Sequence, residues 1–408
     1  MPSTGTATSD HPVFKRLSRD QLVARRRNIG YQTLIFQSSL PRAERCKHCG
    51  RRFNSVWKEY LCHVCGLWVC QPCSLVLERE RVLQYVTFMR SCVGCLLMLN
   101  KWADTIRLTE FAMHPWVVSS SKRQISLTLS DALRTKKESR RAVLLLLNQL
   151  GMPVDPNDSF LDGIHEDDWV AATTEGSVGV SQSPEAHENA VKTSVECVQH
   201  LVQQCFDVVI PELALKDCVF AESDGIRHYA LQYNSPDQPP ESPPVPDEDK
   251  RLHTLAGYGQ VLRSLNTPLL QLICDLVAKE LEAWSSFITM VKAKVQFMVA
   301  APPGCPCSTA LKRSECFCSF ALTSSRPFLI RDTSMDIRFR NIEIARGGQL
   351  MFYIAFPIVD EAGVTVAFLC ALDHKPRKCV TTMQYSVMKR LAAVVSALWK
   401  DIVNQNEL

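Results

Sequence analysis

Eight cysteines near the start of the chain form four C-x2-C pairs: Cys46 and Cys49, Cys62 and Cys65, Cys70 and Cys73, Cys92 and Cys95. Such a pair turns tightly and presents two thiolates to one ion. Two pairs complete a tetrahedral zinc site, so four pairs provide for two zinc ions. Gly50 and Gly66 directly follow the second cysteine of their pairs, where a knuckle turn favours a residue without Cβ. The competing reading, eight free cysteines spaced this way by chance, has little to support it in a reduced compartment. The module carries little apolar surface, so metal binding is expected to supply its folding energy. His48 and His63 lie between the cysteines and are read as non-ligands, because eight sulfurs already satisfy two ions.

A second group is Cys305-x-Cys307 and Cys316-x-Cys318. These four offer a third zinc site or a redox pair. C-x-C is a weaker signal than C-x2-C, so ordinary loop and core cysteines are the reading adopted. Cys197, Cys205 and Cys218 fall on apolar faces and are read as core. The chain shows no Ser-His-Asp order, no paired-carboxylate cleft, no P-loop and no dinucleotide fingerprint, so no enzymatic activity is expected.

The bulk properties set the frame for these sites. The chain has 408 residues, enough for two or three domains. Apolar residues make up 46% and charged residues 22%, the balance of a globular protein. A net charge of +4 is small for this length. With no aromatic residues interleaved in the basic segments, it argues against nucleic acid as a partner. The longest aliphatic run, Ala142 to Leu147, is far too short to cross a bilayer. Met1 to Asp10 is polar and unlike a signal peptide. The expected location is therefore cytoplasmic, where thiols stay reduced.

The segments read as follows. Residues 1–40 are basic, with Lys15, Arg16, Arg19, Arg25, Arg26 and Arg27, and suggest a solvated rather than a membrane-surface helix. Residues 41–100 are the cysteine module. Residues 101–150 are a basic helical segment whose leucines end near Gly151-Met152-Pro153. Residues 151–183 are an acidic, disordered linker, with Phe160 to Trp169 as a docking motif or, more simply, more linker. Residues 184–234 hold a helix, with Ser183 as its N-cap, and a hairpin at Asp224-Gly225. Residues 235–249 carry six prolines and form an extended acidic linker. Residues 250–404 read as one compact domain. Its helix begins at Thr267-Pro268. Strands are expected over Trp284–Val291, Val295–Ala300, Pro327–Arg331, Leu350–Val359 and Val364–Leu372. The last two are joined at Asp360-Glu361-Ala362-Gly363, and a helix from Thr381 to Val403 closes the domain. This is an antiparallel sheet with helices at its ends, an α+β fold.

The four-pair spacing over residues 41–100 resembles the FYVE zinc finger. The resemblance implies a small cross-brace fold of short hairpins plus a helix. It also implies that Cys46, Cys49, Cys70 and Cys73 hold one ion and Cys62, Cys65, Cys92 and Cys95 the other. The family binds phosphatidylinositol 3-phosphate on endosomal membranes through a basic motif before the third cysteine and an R-V-C motif at the seventh. Here the first reads Lys58-Glu59-Tyr60-Leu61-Cys62-His63 and the second Arg90-Ser91-Cys92. Only Lys58 and Arg90 keep the charges that such a pocket needs. Trp57, beside Val56, stands where the family places its membrane loop. A protein partner is therefore favoured over a lipid, with weak attraction to an anionic membrane surface left open. Endosomal phosphatidylinositol 3-phosphate binding is the alternative. A second alternative is a RING-like ubiquitin ligase component, against which the all-cysteine ligand set argues.

The C-terminal stretch is similar to a GAF domain. The similarity rests on Arg251-Leu252, Phe317-Cys318-Ser319, Phe328 to Asp332, Asp336 to Asn341, Phe352 to Pro357, Phe368 to Asp373 and Pro376-Arg377. It implies a sensory or dimerisation module, so a homodimer or a bound small molecule is expected. Asp332, Asp336, Arg338 and Asn341 would edge the ligand pocket. Read from their types alone, they pin a loop by internal hydrogen bonds. The combined expectation is a multidomain, zinc-binding signalling adaptor.

Overall fold

The computed structural model of the chain describes residues 35–36, 42–78, 88–99, 116–119, 137–152, 154–155, 210–223, 226–235, 237–257, 267–301 and 310–406. The basic segment before Ile35, the acidic stretch beyond Asp155, the helix from Ser183, the Phe160 to Trp169 cluster, Cys197, Cys205, Cys305 and Cys307 lie outside these residues. The strands are β1 (Ile35–Phe36), β2 (Glu59–Leu61), β3 (Trp68–Cys70), β4 (Ser74–Glu78), β5 (Phe88–Cys92), β6 (Val117–Val118), β7 (Ile226–Arg227), β8 (Ser285–Val291), β9 (Val295–Ala300), β10 (Ala310–Lys312), β11 (Phe328–Ile330), β12 (Phe352–Val359), β13 (Thr365–Asp373) and β14 (Val380–Thr381). The helices are α1 (Val93–Leu99), α2 (Lys137–Gln149), α3 (Glu248–Gly257), α4 (Thr267–Glu280), α5 (Cys318–Ala321), α6 (Glu343–Arg346) and α7 (Thr382–Asn406).

In the cysteine module two antiparallel ladders bring distant pairs together. β2 and β3 place Glu59 opposite Cys70 and Leu61 opposite Trp68. β4 and β5 place Ser74 opposite Cys92 and Val76 opposite Arg90. α1 follows Cys92 directly and carries Cys95.

The Val-, Ile- and Phe-rich runs of the C-terminal part build one sheet in the order β10-β9-β8-β13-β12-β11, antiparallel throughout. β8 and the interior of β13 are buried on both faces, which is why Val366 to Leu372 reads as a continuous rather than an alternating apolar run. The turn between β12 and β13 closes with Asp360 N–H donating to Val364 O at 3.0 Å. Gly363 takes φ +76 there, where a Cβ would strain the chain.

One face of the sheet packs against α4 and α7 through Ile273, Leu276, Leu391, Val395 and Trp399. α2 belongs to the same core. Its Val143, Leu144, Leu146 and Leu147 are fully buried and it lies against α4. The helix stops at Gly151, φ +93, where Met152 N–H reaches back to Leu147 O at 3.0 Å. The basic segment 101–150 is thus not a separate unit at its C-terminal end. The leucine stripe is core to the domain expected only from residue 250.

Two further expectations are corrected. β7 pairs in parallel with β1, so Ile226–Arg227 is not the second arm of a hairpin across Asp224-Gly225. The proline-rich segment is extended, but it straps the domain instead of standing off from it. Asn341 Nδ2 donates to Gln238 O at 3.2 Å, and Ser242 Oγ donates to Arg313 O at 3.3 Å. Pro240 and Pro243 within it are buried.

Candidate metal centre

Each pair turns as a knuckle. Gly50 N–H donates to Cys46 O at 2.9 Å, and Gly66 N–H donates to Cys62 O at 2.8 Å. Both glycines have positive φ, +67 and +81. The ladders then interleave the pairs. Cys46, Cys49, Cys70 and Cys73 form one cluster and Cys62, Cys65, Cys92 and Cys95 the other, with the sulfurs of each cluster within 4.8 Å of one another.

Four thiolates at about 2.3 Å from one zinc ion sit at the corners of a tetrahedron with edges of about 3.8 Å. The sulfur separations between pairs are 3.6 Å for Cys49 and Cys70, 3.9 Å for Cys62 and Cys95, and 3.8 Å for Cys65 and Cys92. The residues therefore fit a tetrahedral metal ion at both clusters. Backbone amides already face the sulfurs: Cys92 N–H points at Cys62 Sγ (3.2 Å) and Cys70 N–H at Cys46 Sγ (3.4 Å).

Protonation follows the same logic. Burial pushes the Cys70 thiol up to about 11 and pushes Cys73 higher. The sulfurs of Cys62 and Cys65 hold Cys92 far below the usual thiol range, while those same sulfurs push Cys95 up. Packed thiols share protons and cannot all ionise on the protein's own charges; a dication supplies what full ionisation needs. The histidines stand outside both sulfur clusters. His63 Nδ1 accepts the Arg90 backbone N–H at 3.1 Å. His48 bonds the Cys92 sulfur, which raises its pKa against burial, and its Cε1 would lie 2.9 Å from a Cβ at position 94. A glycine there leaves room for a ring that spans the two clusters.

Next to the clusters lie the residues singled out for a lipid or partner. Val56 is 80% exposed at a tip where Asn54 Oδ1 accepts the Val56 and Trp57 amides at 2.9 and 2.8 Å. Trp57 is half-buried, with the Arg51 guanidinium 3.8 Å from its ring centre. Lys58 is exposed. Arg90 is held inside the module: its Nη1 donates to Ser74 Oγ at 2.9 Å, and its guanidinium lies 4.0 Å from the Tyr60 ring centre. Glu59 pairs with Arg42 at 2.9 Å.

The second cluster is also bolted to the rest of the chain. Leu231 N–H donates to Cys65 O at 2.7 Å. Arg227, with no exposed surface, donates through Nη2 to Val64 O and through Nε to Tyr229 O, the latter at 2.7 Å. From Tyr229 the contacts run into the sheet loop. Arg338 Nη1 donates to Tyr229 OH (3.0 Å) and to Glu222 (2.6 Å), and Nε and Nη2 donate to Asp336 at 2.9 and 2.6 Å. Sequence reasoning did not find Arg227, Tyr229 or Leu231. Nothing in Ile226-Arg227-His228-Tyr229 distinguishes a buried arginine from a surface one.

The loop residues expected to edge a pocket are bonded to other protein groups, within the loop and, for Arg338 and Asn341, also beyond it. Besides Asp336 with Arg338, Asp332 Oδ1 accepts Ser334 Oγ–H at 2.6 Å. The sheet face beneath this loop is filled by rings, with Phe317 against Tyr353 (5.1 Å), Phe317 against Phe339 (5.0 Å) and Phe320 against Phe339 (4.9 Å). Cys316 and Cys318 are buried there. Cys318 Sγ lies 2.7 Å from Tyr353 OH and 3.8 Å from Cys370 Sγ. Burial pushes the Cys316 thiol up to about 12. Among the described residues these cysteines form no further metal cluster.

No family model matches the chain. A cyclic di-GMP phosphodiesterase of Pseudomonas aeruginosa is 27% identical over 86 residues, 21% of this chain and 15% of that protein's length. Solved structures similar to the chain include the GAF domain of an Acinetobacter phosphoenolpyruvate-protein phosphotransferase (15% identity, 39% of this chain and 98% of that one, TM-score 0.29). The GAF domain of A. aeolicus nlh2 is also similar (15%, 37% and 94%, TM-score 0.27). A third is the chromophore-binding domain of Stigmatella aurantiaca phytochrome P1 (11%, 39% and 63%, TM-score 0.27). Among the described residues no helix is long and apolar enough to cross a membrane.

Proposed function

We propose that the chain is a zinc-binding cytoplasmic adaptor, not an enzyme. In this reading a FYVE-related finger holds two zinc ions and presents a docking tip, and a GAF-type domain is its scaffold. Cys46, Cys49, Cys70 and Cys73 would hold one ion and Cys62, Cys65, Cys92 and Cys95 the other. Zinc would close both knuckle sets and fix the tip; it does no chemistry. The strand order and the residue series from Arg251 to Arg377 support the GAF-type reading. The ring-filled sheet face supports a scaffolding or dimerising role over ligand sensing. The phosphodiesterase activity in the relative's name is not carried over, since the aligned stretch is 15% of that protein.

One observation supports a protein over a lipid headgroup as the finger's partner. The Arg90 guanidinium, which a phosphate pocket would need free, is already bonded to Ser74 and stacked on Tyr60. Val56 is exposed at the tip, and the exposed cations Lys47, Arg52 and Lys58 in the module attract acidic surfaces without a stereospecific pocket. The test is co-sedimentation of the zinc-loaded full chain with vesicles containing phosphatidylinositol 3-phosphate or phosphatidylserine, at two salt concentrations. Equal binding to both that disappears with salt is expected. Selective, salt-resistant binding to phosphatidylinositol 3-phosphate would overturn the protein-docking reading and make this an endosomal lipid-binding protein.

A further inference from the structure

The two cysteine clusters differ in one respect that bears on their chemistry. In the second cluster every cysteine is buried: Cys62 0%, Cys65 2%, Cys92 2% and Cys95 1% exposed. In the first, Cys46, Cys70 and Cys73 are equally buried, but Cys49 is exposed. Its sulfur stands 3.6 Å from Cys70 Sγ. The second cluster is further shielded by the packing of Leu231 on the Cys65 knuckle and by buried Arg227 on Val64. Bound thiolates differ little in intrinsic nucleophilicity within one ligand set, so access to the oxidant decides which reacts first.

We infer that Cys49 is an oxidation site through which hydroperoxides discharge the first zinc ion selectively, leaving the second in place. The inference rests on the zinc reading of both clusters. The Cys49 thiolate attacks one oxygen of hydrogen peroxide, the O–O bond breaks, hydroxide leaves and a sulfenic acid forms. The Cys70 thiolate attacks that sulfur; an S–S bond forms and a second hydroxide leaves. Two electrons pass from the two sulfurs to the peroxide, and two solvent protons convert the hydroxides to water. Zinc keeps its charge throughout. It is released because only Cys46 and Cys73 remain to hold it, and two ligands do not retain the ion against water. Reduction by a dithiol reverses the bond and restores the site.

The consequence is local. The first cluster fixes the knuckle that carries Arg45, Lys47, Arg51 and Arg52, while the second keeps the module on the sheet domain through Cys65 and Leu231. Oxidation would therefore loosen that basic knuckle without detaching the module from the sheet domain.

The experiment uses the full chain, purified with zinc and counted for metal before oxidant is added. Hydrogen peroxide is then added and released zinc is followed with a chromogenic chelator; disulfides are mapped by mass spectrometry of unreduced peptides. Expected is a first equivalent of zinc leaving at least about tenfold faster than the second, with a Cys49–Cys70 disulfide at that stage and uptake of zinc again after dithiothreitol. Release of both ions together, earlier loss from the second cluster, retention of both, or a first disulfide that excludes Cys49 would overturn the inference. A starting chain that holds no zinc would instead overturn the metal reading, and the inference with it.

Discussion

Glu248 shows how single charged residues tie this fold together. Its carboxylate accepts Arg251 Nε at 2.7 Å and Arg251 Nη2 at 2.8 Å, and also Arg313 Nη1. Burial alone would raise its pKa; the hydrogen bonds from Arg251 and Arg313 outweigh that and hold it below the usual glutamate range. A depressed folded-state pKa contributes stability above the unfolded value of about 4.3 and loses it as pH falls through the folded value. Glu248→Gln should therefore lower the urea midpoint at pH near 7, with a deficit that narrows at lower pH as the wild-type carboxylate protonates. A deficit of equal size at both ends of that range would show that the charge is not the cause. Arg338 carries a larger stake. It is 3% exposed and Asp336 is fully buried, so Arg338→Ala leaves an uncompensated carboxylate and should cost about 3–5 kcal/mol. Urea unfolding measures this directly.

Among the elements, α2 has the least expected place. Its leucines form a stripe that any amphipathic helix could show, yet they meet α4 across the core. Leu144→Ala should cost about 2–5 kcal/mol in the unfolding of the sheet domain. Glu138→Gln, on the exposed side of the same helix, should change stability by less than about 0.5 kcal/mol. If both were silent, α2 would not be part of the core. The strands β8, β9, β11, β12 and β13 fall where apolar β-branched and aromatic runs predict them. β10 (Ala310–Lys312) was not foreseen, because three exposed residues carry no periodicity to read.

At the scale of the whole molecule the finger and the sheet domain are joined by residues 226–233. On the two-zinc reading, Arg227→Ala should leave the metal count unchanged while exposing that junction. Limited trypsin digestion should then cut between the units, and thermal unfolding should resolve into two transitions. Chelation probes the opposite half. On the two-zinc reading, removing metal with EDTA should unfold residues 42–78 and 88–99, whose clustered sulfurs are their core, and leave the sheet spectrum in circular dichroism largely intact. Loss of both signals together would mean that the sheet depends on the metal.

The sequence by itself determined the cysteine pairing grammar, the glycines that turn the knuckles and the order of the main strands. Each of these is local: a C-x2-C turn, a positive φ, or a run of apolar residues needs only its neighbours. The resemblance of the spacing to a FYVE finger already implied which pairs share an ion; tertiary structure supplied the contacts themselves, setting Cys49 beside Cys70 and Cys65 beside Cys92. It also decided that α2 is core, that the proline-rich segment is a strap and that Arg227 is buried against Val64. These contacts join residues far apart in the chain, and their energies depend on burial and partner geometry, which no window of sequence contains.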